Sequence, residues 1–155
     1  MFAYVSSHAP IGIDGKIIKV EVDIRNGIPG TDIVGLPDGA VKEAKERVRV
    51  AIRNSGFIFP PKRILINLAP AGIKKEGASY DLPIALGILA ASNQIIPESI
   101  KNTMVLGELN LAGKVRAVRG VLSAISAGVK DNINKFIVPE KNLFEAKALG
   151  DGKIY

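Results

Sequence analysis

Ser79 stands in Lys74-Lys75-Glu76-Gly77-Ala78-Ser79-Tyr80-Asp81-Leu82-Pro83, a tight polar turn that leads directly into the apolar run Ile84-Ala85-Leu86. A serine just before a helix is where several kinds of hydrolase present a nucleophile, because free N–H groups at a helix N-terminus can meet a developing oxyanion. The hydroxyl is inert at neutral pH unless a base lies within hydrogen-bond reach. Two readings therefore compete: Ser79 is a nucleophile, or Ser and Asp in this turn only cap a helix. Other chemistries have less to draw on. The chain has no cysteine, which excludes thiol catalysis, disulfides and cysteine-ligated zinc. His8 is the sole histidine, expected as a surface or partly packed imidazole, and the carboxylates are scattered, so no metal site is expected. Gly107 to Gly113-Lys114-Val115 approaches a phosphate-binding loop, but it has five intervening residues and no hydroxyl after the lysine. It reads as a hairpin turn, and no nucleotide cofactor is expected in this segment.

The charge balance offers a second chemistry. Lys and Arg number 21 against 15 Asp and Glu, a formal net charge of +6, which permits contact with a polyanion without requiring it. Lys42, Lys45, Arg49 and Arg53, with Lys62 and Arg63 after them, could form one stripe for phosphate contact. Glu43 and Glu46 interrupt that stripe, and no aromatic residue is placed beside it for base stacking. A solvated helix face is the alternative. Lys74 and Lys75, in the loop beside the Ser79 helix start, make a smaller second basic site.

These residues must be positioned by an α/β framework. Nearly half of the 155 residues are apolar, enough for one domain with a core of Ile, Val, Leu and Ala. Ile17 to Ile24 alternates as a half-buried strand, and Thr31 to Gly35 reads as its hairpin partner across Arg25-Asn26-Gly27-Ile28-Pro29-Gly30. Asp38 is placed to cap a helix from Gly39 to Asn54, whose Val41, Ala44, Val48, Ala51 and Ile52 share one face. The pairs Lys42–Glu46 and Glu43–Arg47 support that helix. Strands are expected at Arg63–Leu68, Met104–Leu109, Lys114–Val118 and Lys135–Val138. Helices are expected at Asp81–Asn93 with Asp81 as N-cap, at Gly120–Lys130 and at Lys141–Leu149. The alternation predicts a two-layer α/β (α+β) domain with one mixed sheet. The amino terminus has no signal-peptide character, and Leu82–Ala91 is about half a membrane span, so a cytoplasmic location without a membrane partner is expected. Gly152-Lys153-Ile154-Tyr155 reads as a strand-like fragment of something longer.

Three groups of segments carry a resemblance over almost the whole chain. The first is Val34-Gly35-Leu36-Pro37-Asp38-Gly39-Ala40-Val41-Lys42-Glu43 with Glu46-Arg47-Val48-Arg49. The second is Asn67-Leu68-Ala69-Pro70-Ala71 with Lys75-Glu76-Gly77 and Tyr80-Asp81-Leu82-Pro83-Ile84-Ala85. The third is Leu106-Gly107-Glu108-Leu109 with Val118-Arg119-Gly120-Val121-Leu122 and Ile137-Val138-Pro139. Together they resemble the amino-terminal domain of the YifB/ComM family, the magnesium-chelatase-like AAA+ ATPases. The resemblance implies a fold similar to the proteolytic domain of Lon, to the Lon-like domain of RadA and to the second domain of a small-subunit ribosomal protein. It also implies that residues 1–155 precede an AAA+ module that binds ATP and magnesium, in a hexameric DNA helicase of branch migration during transformation.

On the Lon pattern Ser79 falls on the nucleophile, while the position of the lysine base is Leu122, in Arg119-Gly120-Val121-Leu122. A leucine cannot accept a proton. Lys74, Lys75 and Lys130 are the nearest substitutes, and a lysine base would need desolvation that their polar contexts do not offer. The expectation is a non-catalytic domain that assembles or positions the ring of its own AAA+ module, or guides DNA through it. The alternatives are a Lon-type peptidase using Ser79 and a stand-alone DNA-binding module.

Overall fold

Period-two burial builds the sheet. In β2 (Lys16–Arg25) Ile18, Val20, Val22 and Ile24 are buried while Lys19 is exposed; β4 (Arg63–Ala69) repeats the pattern with Ile64, Ile66 and Leu68. The computed structural model describes residues 1–12, 15–148 and 153–155. The remaining strands of the main sheet are β1 (Phe2–Ala9), β3 (Gly30–Val34), β5 (Thr103–Val105), β8 (Lys135–Ile137) and β9 (Lys153–Ile154), and the order is β3-β4-β2-β1-β5-β8-β9. β2 runs antiparallel to β1 and β4, and every other neighbouring pair is parallel, so the sheet is mixed. A separate hairpin joins β6 (Glu108–Leu109) to β7 (Val115–Arg116). Its turn is the Asn110–Gly113 segment, closed by Gly113 N–H donating to the Asn110 carbonyl.

Four helices cover the sheet: α1 (Gly39–Asn54), α2 (Asp81–Ala91), α3 (Val121–Lys130) and α4 (Leu143–Lys147). α1 buries the expected stripe of Val41, Ala44, Val48, Ala51 and Ile52, and its N-cap is Asp38, whose Oδ1 accepts from Val41 N–H at 2.7 Å. α2 is buried almost all round, because it lies between the sheet and α1. Its Gly87 lets the helix approach Val22: a Cβ there would lie 2.7 Å from Val22 Cγ2. The two apolar clusters divide at β5. Val105 joins the α1/α2 core, whereas its neighbour Met104 joins Phe136, Ala124 and Ile125 under α3, on the opposite face. The sheet thus carries helices on one face along most of its width and on the other face at the β5–β8 end.

Several expectations change. β3 is not the hairpin partner of β2; it pairs parallel with β4, with α1 as the crossover between them. β1 pairs along its whole length with β2, in a segment whose pattern gives little warning. Its outward residues include Phe2 and Tyr4, whereas Ser7 is buried and donates to the Val105 carbonyl at 2.8 Å. Met104–Leu109 is not one strand. The chain leaves the sheet after Val105, and Gly107 then bonds to the Ser79 turn. The expected helix ending at Leu149 begins as a 3₁₀ turn at Glu140–Asn142 and continues as α4; Leu149 and Gly152 lie outside the described residues.

Gly35 is required by both conformation and contact. Gly35 has φ +100°, and a Cβ on it would sit 2.2 Å from the carbonyl oxygen of Leu68 in β4. Gly35→Ala should therefore cost roughly 2–5 kcal/mol through left-handed backbone and overpacking. Gly39→Ala, with open space around it at the start of α1, should be neutral or stabilising. Chemical denaturation of the two variants checks both outcomes.

Candidate functional site

The Ser79 turn is strapped on both sides. Gly107 N–H donates to the Ser79 carbonyl at 3.1 Å, and Leu82 N–H donates to the Gly107 carbonyl at 2.9 Å. On the other side Lys75 N–H donates to Leu36 and Asp38 N–H to Lys75, a parallel bridge between the loop and the approach to α1. Asp38 Oδ2 also accepts from Gly77 N–H at 3.2 Å. These bonds change the electrostatics expected of a helix start. In the first turn of α2, Asp81 N–H is bonded to Ala78, Leu82 to Gly107 and Ile84 to Tyr80, and Pro83 has no N–H. The first helical turn therefore has no spare donor for an oxyanion.

Asp81 is not the N-cap. Tyr80 holds that position without a side-chain capping bond, and Asp81 is the first helical residue. Its carboxylate is fully buried and accepts from Arg47 Nε at 2.9 Å, Arg47 Nη2 at 3.0 Å and Leu109 N–H at 3.0 Å. Burial pushes the Asp81 carboxyl up, while Arg47 and the Leu109 amide pull it back. The bond to Asp81 holds the Arg47 guanidinium above its ordinary value. Arg47 also meets Glu43 at 3.5 Å, the expected pair, but its main partner is on α2. The sequence did carry a signal for it: Arg47 is three residues from Ala44 and four from Ala51, on the edge of the buried stripe.

Ser79 opens onto a cleft of about 360 Å³ whose polar lining includes His8, Glu76, Glu108 and Arg119. Leu122 is exposed on α3 and does not line this cleft; Arg119, from the same run, does. His8 is buried rather than at the surface, and its Nε2 faces Gly15, where a Cβ would lie 2.0 Å away. Among the described residues the Ser79 hydroxyl takes part in no hydrogen bond. Sequence reasoning did not assign His8, Glu108 or Arg119 to this place, because they come from β1, β6 and the loop before α3.

Lys75 is the clearest departure from expectation. It was expected in a polar context and as a nucleic-acid contact; it is fully buried, and its Nζ donates to the carbonyls of Gly35, at 2.6 Å, and of Pro70. It is out of solvent, and both of these contacts tie loop carbonyls together. Lys74 stays exposed, 3.5 Å from Glu76. Lys42 is exposed on α1, outside the main basic cleft. Lys45, Arg49 and Arg53 do come together with Lys62 and Arg63 around a second cleft, of about 500 Å³, and Phe59 lines it too. An aromatic residue thus stands beside the stripe where none was expected. Among the described residues no His, Cys, Asp and Glu cluster could hold a metal ion, and no helix is long and apolar enough to cross a membrane.

The mixed sheet with helices on both faces defines an α/β domain. Residues 20–142 match the family model for subunit ChlI of Mg-chelatase, and the chain belongs to this Mg-chelatase-like family. It is 44% identical over 153 residues to the competence protein ComM of Haemophilus influenzae, covering 99% of this chain and 30% of that protein. It is 46% identical over 138 residues to YifB of Escherichia coli, covering 89% of this chain and 27% of that protein. A more distant similarity, 24% over 138 residues, links 84% of the chain to 17% of the Lon protease of Finegoldia magna. The chain thus spans less than a third of the length of the ComM and YifB proteins it matches.

Burial holds the Lys75 ammonium below its ordinary value of 10.5. In the folded state the charge therefore carries a cost that is fully present below the depressed value. That cost is released as pH rises toward 10.5, because the unfolded chain then binds more protons than the folded one. Lys75→Met removes the titration. The stability of the wild type relative to Lys75→Met should rise as pH climbs toward 10.5, as read by urea denaturation at several pH values.

Proposed function

We propose that this chain is a non-catalytic, Lon-like amino-terminal module of a Mg-chelatase-like AAA+ protein, and that it supports assembly of the parent ring and guides DNA toward it. The single observation that carries the first part is the commitment of the polar groups around Ser79. The first-turn N–H groups of α2 are bonded, Lys75 holds two carbonyls, and the Lon base position is an exposed leucine. A serine without an activating base does not cleave amides at a useful rate. ATP and magnesium belong, on this reading, to the module that follows in the longer parent, which acts as a hexamer in the cytoplasm. The Haemophilus relative is named a competence protein, which supports DNA as what the parent handles; branch migration by a helicase is the activity we propose for that parent.

A fluorophosphonate probe tests the non-catalytic part. The folded chain should show no more labelling than Ser79→Ala, and neither should cleave a casein substrate. Labelling that disappears in Ser79→Ala would establish a live nucleophile and end this reading. For the assembly part, light scattering of the parent with and without residues 1–155 should show a ring that depends on them. An unchanged ring in the shortened protein would remove the scaffold role.

A further inference from the structure

The cleft between α1 and residues 59–63 gathers cations with no evident structural reward. Lys45, Arg49 and Arg53 are spaced at i, i+4 and i+8, so they stand on one face of α1 at steps of about 6 Å. Like charges at this spacing weaken a helix. Lys62 and Arg63 face them across the cleft, and Phe59 completes the wall. The lining holds one carboxylate, Glu46, which accepts from Arg49 at 2.6 Å. Arg63 pairs with Asp32. Among the described residues Lys45, Arg53 and Lys62 have no ion-pair partner, in contrast to Arg47, which is fully engaged on the same helix.

We infer that this cleft binds the phosphate backbone of a single-stranded nucleic acid, with Phe59 offering a ring on which a base stacks. A ladder of cations at regular steps on a rigid helix suits a ligand whose negative charges also repeat regularly. A partly exposed aromatic ring in the same cleft suits a ligand whose flat faces are available, as they are in a single strand and are not in an intact duplex. Pro60 and Pro61 hold the wall extended and bring no N–H of their own, so the contacts to the strand come from side chains. Lys75 has no part in this site, and Lys42 and Lys74 lie outside it. The inference deepens the DNA-guiding part of the proposed function. It is read on this chain alone without ATP, so its failure leaves the assembly and non-catalytic parts standing.

The test is fluorescence anisotropy with a labelled oligothymidine of about 16 nucleotides, over a range of salt concentrations. Binding should weaken linearly in a log–log plot. The double variant Lys45→Gln with Arg53→Gln should flatten the slope by about 0.7 for each side chain removed. Phe59→Leu, which keeps an apolar residue against the core, should weaken binding at least about fivefold and leave the slope unchanged. Lys101→Gln, an exposed site of the same charge far along the chain on another element, should bind as the wild type does. Equal losses in Lys101→Gln and the cleft variants would overturn the inference in favour of bulk charge. Displacement by polyglutamate as effective as by unlabelled oligothymidine would overturn it in favour of an acidic protein. A duplex that binds as tightly, with Phe59→Leu unaffected, would remove the stacking claim and the single-strand assignment with it.

Discussion

The buried pair between Arg47 and Asp81 is the constraint on which the arrangement of this domain depends. A carboxylate with no exposed surface must be neutralised and hydrogen-bonded or it destabilises the fold severely. Asp81 meets that condition only where three elements converge: α1 through Arg47, the hairpin strand β6 through Leu109, and its own helix α2. That convergence sets where α2 begins. It also bears on the Ser79 turn, since Gly107, which bonds on either side of that turn, immediately precedes β6. A buried ion pair is weak evidence for net stability, but it penalises every arrangement that separates its partners. Here it penalises any movement of α1 away from the turn.

Seen from that pair, the Ser79 turn and the α1 cleft are opposites. Around Ser79 the polar groups are committed: Asp38 to Val41 and Gly77, Lys75 to Gly35 and Pro70, Tyr80 to the His8 carbonyl. Similarity to a Lon protease is distant, and what these bonds define is a structural turn. Its contents hold a loop and two helices together. Along the other side of α1 the cations are largely uncommitted, although gathering them opposes helix stability. A single helix therefore carries both roles. Arg47 faces inward to the structural pair, and Lys45, Arg49 and Arg53 face outward to the cleft.

Much of the framework was legible because it rests on local pattern. The α1 stripe, the Asp38 cap, the alternation of β2 and the Asn110–Gly113 turn are written in neighbouring residues, as is the existence of β4, although its Leu65 and Asn67 face outward. Partnership was not legible. Arg25-Asn26-Gly27-Ile28-Pro29-Gly30 has hairpin chemistry, yet β4 occupies the side of β2 that β3 would need, and β3 pairs with β4 instead. β1 escaped notice because its polarity is reversed, with aromatic residues outward and Ser7 inward. Lys75 looked like its neighbour Lys74, and nothing local says that one is sealed under Gly35 and Pro70 while the other meets solvent. Asp81 suited an N-cap by type, but its partner lies 34 residues away on another helix. Phe59 lies between α1 and β4 in the chain, and only folding brings it to the wall of the basic cleft.

The most direct measurement of this account is a double-mutant cycle on Arg47 and Asp81, using Arg47→Met, Asp81→Leu and the two together, each followed by chemical denaturation. If the pair is the structural tie described, Arg47→Met leaves the buried Asp81 carboxylate without its guanidinium and should lose about 3–5 kcal/mol; Asp81→Leu leaves Arg47 partly exposed and beside Glu43 and should lose less. The double variant, with apolar groups facing each other, should lose much less than the sum of the two. Single losses that simply add in the double variant would contradict the account. They would mean that Asp81 and Arg47 act separately and that the Ser79 turn is held by something else.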